Sequence, residues 1–159
     1  MKKVIIAIIC VLCLSGCTSS DKSDTKVLDL ASIKSELSEL KIDSEYPFKN
    51  NEYINNKETI EYYELDLSLI DDYLIYLPSE VVNASMYMII KPKKEEVSVV
   101  KYQVEELFDG LYNAYEGYYP KQAKLIKDRM SKELNGYLIY VVSTDNDKVY
   151  DTIKKNKKD

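Results

Sequence analysis

Residues 129–143 read RMSKELNGYLIYVVS, and how this stretch is parsed decides the fold. Asn135-Gly136 is a strong two-residue hairpin signal, because both positions tolerate the positive φ that a type I′ turn requires. On that reading 129–134 and 137–143 are paired strands. The rival reading continues a preceding helix to Leu134 and uses Gly136 as its cap. The hairpin is preferred, and the rival stays open at this point.

Working backwards, Val97, Val100, Val104, Leu107, Phe108, Leu111 and Tyr115 recur at helical spacing. They form one apolar stripe on a long helix, opposite Lys93, Lys94, Glu95, Glu105 and Glu106. Gly110 inside that pattern weakens it slightly, by about 1 kcal/mol relative to alanine. Gly117-Tyr118-Tyr119-Pro120 ends it, and Pro120 suits the first turn of a short helix running to about Asp128. Upstream, DYLIYLP (72–78) and SMYMIIKP (85–92) are short apolar runs closed by proline, read as two buried strands joined through SEVVNA. The spacing of Val27, Leu28, Ile33, Leu37 and Leu40 predicts an amphipathic helix over 26–41. DSEYPFKNNEY reads as a loop, and a short helix is expected over 57–64 after Asn55 and Asn56. A last helix over 146–156 turns Val149, Tyr150 and Ile153 inward and leaves its lysine-rich end solvated. The sum is α+β: a small, mostly antiparallel sheet of about four strands packed against helices.

The first residues have a different logic. Lys2 and Lys3 precede eleven uncharged residues, Val4 to Leu14. That is the length of a secretory h-region, and short of the roughly 20 residues that span a bilayer. The following Leu14-Ser15-Gly16-Cys17 resembles the lipobox of bacterial lipoproteins. The resemblance implies a diacylglyceryl group on the Cys17 sulfur and cleavage between Gly16 and Cys17. An ordinary leader would prefer an A-x-A-like site, and none occurs between residues 8 and 25. The expected organisation is a leader over 1–16, a lipid-anchored polar tether over 17–25 (TSSDKSDT after Cys17) and one α+β domain over 26–159. Two or three acyl chains, at about 0.8 kcal/mol per buried CH2, would hold such a protein durably on the outer face of the cytoplasmic membrane.

Composition removes function classes. The cysteines are Cys10, Cys13 and Cys17. Cleavage would leave only Cys17, already a thioether, so no disulfide or thiolate site is expected in the domain. Loss of Lys2 and Lys3 from the 22 basic residues leaves 20 against 27 acidic ones, a net charge of −7. Nucleic acid is therefore not an expected partner. There is no histidine, which removes Ser-His-Asp chemistry and most zinc-type sites. Ser32-Ile33-Lys34 and Ser38-Glu39-Leu40-Lys41 lack the spacing of known Ser-Lys sites. Glu64, Asp66, Asp71 and Asp72 lie close together but lack the glycine of a calcium loop. In STDNDKVYD (143–151), Ser143, Thr144 or Asp145 fits a helix N-cap better than a metal loop. No cofactor, metal or enzymatic activity is expected.

From about Asp66 onward the layout resembles a family of lipoproteins from Firmicutes, domain of unknown function 4358. The resembling features are MYMIIKPK, the long charged helix after it, the YYP break, NGYLIYVVS with Gly136 at its turn, and a short closing helix. EYPF at 45–48 adds to them. The resemblance implies an α+β lipoprotein domain and no activity, since the family has none assigned.

Fifteen tyrosines stand out beside abundant Lys, Asn and Ile. AT-rich coding DNA favours the same residues, so abundance alone does not argue for a binding surface. Tyr112, Tyr118 and Tyr119, at the end of the long helix, form the one candidate ligand surface, since tyrosine joins an apolar ring to a polar tip. The simpler reading, that these rings close the core, is preferred. Three function classes follow: a lipid-anchored binding or accessory module with a cell-wall or envelope-protein ligand, a structural partner of a membrane complex, and a histidine-free envelope hydrolase. The first is favoured. Oligomeric state is not legible.

Overall fold

The computed structural model describes residues 27–49, 63–77 and 82–158. Among them, four helices and six strands follow in the order β1 (Val27–Leu28), α1 (Leu30–Ser38), β2 (Ile70–Tyr76), β3 (Met86–Pro92), α2 (Val97–Glu116), α3 (Pro120–Lys127), β4 (Met130–Leu134), β5 (Tyr137–Val142), α4 (Asn146–Lys155) and β6 (Lys157–Lys158). The fold is α+β. Its main sheet is wholly antiparallel, in the order β2-β3-β5-β4.

The hairpin settles how 129–143 folds. Asn135 (φ 53°) and Gly136 (φ 82°) both take left-handed backbone, and Leu134 pairs with Tyr137 across the turn. Asn and Gly bear that conformation at little cost, which a continuing helix would not use.

Helices cover both faces of the sheet, and the strands show it. On β5, Leu138, Tyr140 and Val142 face one side, with Met86, Met88 and Ile90 of β3 and the α2 stripe Val100, Val104, Leu107, Phe108 and Tyr115. Tyr137, Ile139 and Val141 face the other, with Tyr87 and Ile89, with Ile33 and Leu37 of α1, and with Val149 and Ile153 of α4. All six residues of β5 are buried. A strand covered on both sides loses polar alternation and reads as an unbroken apolar run. The edge strand β4 is the opposite case, with exposed Ser131, Lys132 and Glu133 that discourage pairing with another chain.

Two expectations are revised, and a third falls mostly outside the described residues. The helix expected over 26–41 begins only at Leu30. Asp29 caps it by accepting from the Ser32 N–H at 3.3 Å, and Val27-Leu28 are instead extended and paired with Lys157-Lys158. The helical spacing of Val27 and Leu28 was fortuitous, since Leu28 buries its side chain from a strand. The helix expected over 57–64 lies outside the described residues, apart from Tyr63 and Glu64, which form a turn. Tyr150 is only half buried, and Thr152 joins Val149 and Ile153 inside.

The topology separates two ends. Call upper the end where β5 finishes and β3 begins, and lower the end where β5 begins. Helix α4 leaves the upper end and runs some 15 Å. It lies antiparallel to α1: Lys148 Nζ donates to the Lys41 carbonyl at 2.8 Å, Lys155 pairs with Glu36 at 2.7 Å, and Lys158 with Asp29 at 3.1 Å. Val27, at the start of the described residues, therefore sits at the lower end. The 42–48 loop and Tyr118 sit at the upper end.

Candidate functional site

The nominated tyrosines do not act together. Tyr118 is 85% exposed and Tyr119 36%, while Tyr112 is half buried against the core. The expectation that these rings close the core holds in part for Tyr112 and is corrected for Tyr118 and Tyr119; Tyr115, 5% exposed, closes it by continuing the Val100–Phe108 stripe. Tyr119 lies against it with ring centroids 6.1 Å apart. The helix ends at Glu116, with Gly117 as its cap and Pro120 opening the next helix, so Tyr118 and Tyr119 leave the buried face. Tyr118→Ala is expected to change unfolding free energy by no more than about 0.5 kcal/mol, read by urea denaturation.

A groove of about 630 Å3 runs beside α2 instead. Its walls are Tyr63 and Glu64 on one side and Tyr102, Gln103 and Glu106 on the helix, with Leu107, Gly110 and Leu111 beneath. Positions 102, 106 and 110 form one helical row and 103, 107 and 111 the next, so the groove follows the helix axis. The Gln103 carboxamide oxygen accepts the Asp66 N–H at 3.3 Å and ties the 63–66 segment to the helix. Glu64 takes φ 60° at the rim, a conformation costing a non-glycine residue about 1–3 kcal/mol. Tyr102 is 64% exposed. Nothing lies within 4 Å of where a Cβ on Gly110 would stand, so packing does not require this glycine.

Smaller hollows lie elsewhere. One of about 470 Å3 adjoins Tyr140, Glu105, Lys101 and Glu133. There Lys101 pairs with Glu133, and Arg129, the chain's one arginine, pairs with Glu105 and lies 4.7 Å over the Phe108 ring. Another of about 230 Å3 opens at the upper end, among Asp43, Glu45, Asn83, Ser85, Gln122 and Ser143. Its polar groups serve the fold: Gln122 accepts the Ala84 N–H at 3.0 Å, Asn83 that of Ser85 at 2.8 Å, and Ser143 bonds Asn146.

Three of the acidic residues weighed as ligands have structural partners. Asp66 caps the turn at Leu67–Leu69 by accepting from Ser68. Asp72 accepts the Tyr137 hydroxyl at 3.2 Å, and Asp145 caps α4. Burial, then the Asp72 charge and hydrogen bond, pushes the Tyr137 phenol up to about 12. Burial and the Glu105 carboxylate do the same for Tyr140. Burial, with Tyr63 and Tyr119 adding, raises Tyr115. These are packed rings that hold their protons, and none lines the α2 groove. The groove is lined by tyrosines, carboxylates and one carboxamide, which is chemistry for holding a ligand. Neither Tyr63 nor Tyr102 was reached from sequence. Tyr102 lies off the apolar stripe, and Gly110 inside a good helix was the one local signal.

A family model described as domain of unknown function (DUF4358) matches residues 44–143. The chain belongs to this family. The DUF4358 span contains the whole main sheet, α2, α3, EYPF and every residue of the α2 groove, and leaves α1 and α4 outside. None of the curated proteins and none of the solved structures matches the chain.

Proposed function

We propose that this DUF4358 protein is a lipid-anchored, extracytoplasmic lipoprotein, a non-catalytic binding or accessory module on the outer face of the cytoplasmic membrane. Leu14-Ser15-Gly16-Cys17, behind a short uncharged run and two lysines, carries the proposal. No helix among the described residues is long and apolar enough to cross a membrane, so attachment is assigned to the Cys17 lipid. With Val27 at the lower end, a lipid ten residues upstream reaches about 35 Å at full extension. A groove of ligand size on α2 supports a binding role.

Cys17→Ala is the test. The variant is expected to keep the 16-residue leader, run as the longer precursor on gels and lose its lipid. Wild-type processing of the variant, with the same shortened chain, would overturn the proposal.

A further inference from the structure

We draw no further inference here: the strongest candidate, the hollow of about 470 Å3 between α2 and the edge strand β4, has its Lys101, Glu105 and Glu133 already taken up in ion pairs within the chain, and nothing in the structure shows what would occupy it.

Discussion

Replacing Phe48 with alanine is expected to lower the unfolding free energy by about 3–5 kcal/mol. Phe48 is fully buried, edge-on to Tyr76 (centroids 5.5 Å apart) and to Tyr87 (5.2 Å), and those two rings stack at 5.4 Å. The three rings fasten the 42–48 loop to the upper end of the sheet, and the Tyr76 hydroxyl reaches the Pro47 carbonyl at 3.4 Å. Truncation removes a large apolar side chain and leaves a cavity that a rigid sheet cannot close. Domains of this size are stable by only about 5–15 kcal/mol, so the variant approaches unfolding at ambient temperature. Urea denaturation of Phe48→Ala beside Tyr46→Ala measures the effect. Tyr46 is exposed, at 42%, and its truncation is expected to be near neutral. A cost below about 1 kcal/mol for Phe48 would mean that EYPF is not bolted to the sheet.

Alkali is expected to destabilise the fold steeply between about pH 10 and pH 12. The phenols of Tyr137 and Tyr140 are both raised to about 12 in the folded chain, against 10 unperturbed. The sign follows from which state keeps its protons. Above pH 10 the unfolded chain loses them while the folded chain retains them, so stability falls as pH rises, and it levels off beyond 12. Each tyrosine contributes up to about 1.4 kcal/mol per pH unit across that window. The Tyr137 hydroxyl bonds exposed Asp72, whose charge solvent screens, so its share is the smaller. Together the two are worth about 3–5 kcal/mol by pH 12. Tyr115 acts in the same direction. Urea midpoints measured from pH 9 to 12 check this, and Tyr137→Phe should flatten the slope. An unchanged midpoint up to pH 11.5 would contradict it.

Much of the fold was legible because its signals are local. Asn135-Gly136 announced the hairpin, since few other pairs take two positive φ values in succession. The α2 stripe predicted its buried face, with Val97 and Leu111 at its margins only half buried. YLIYVV and MYMII lacked alternation because both faces of their strands are covered. The pairing of β1 with β6 was not legible. It joins two residues to two through backbone hydrogen bonds, and Lys157-Lys158 carry no apolar pattern. The α2 groove was hidden for a related reason. It needs Tyr63 beside Tyr102, residues far apart in the chain, and no sequence period links them. Tyr118 and Tyr119 drew notice as neighbours in sequence, but adjacent residues at a helix end diverge, and these two leave the core.

Everything proposed about where the protein works depends on Cys17. The direct measurement is to grow cells with an alkyne fatty-acid analogue, purify the wild-type protein and determine the mass of its N-terminal peptide. The expected result is a labelled peptide beginning at Cys17, heavier by its acyl groups. An unlabelled chain, or one beginning at any other residue, would contradict the account.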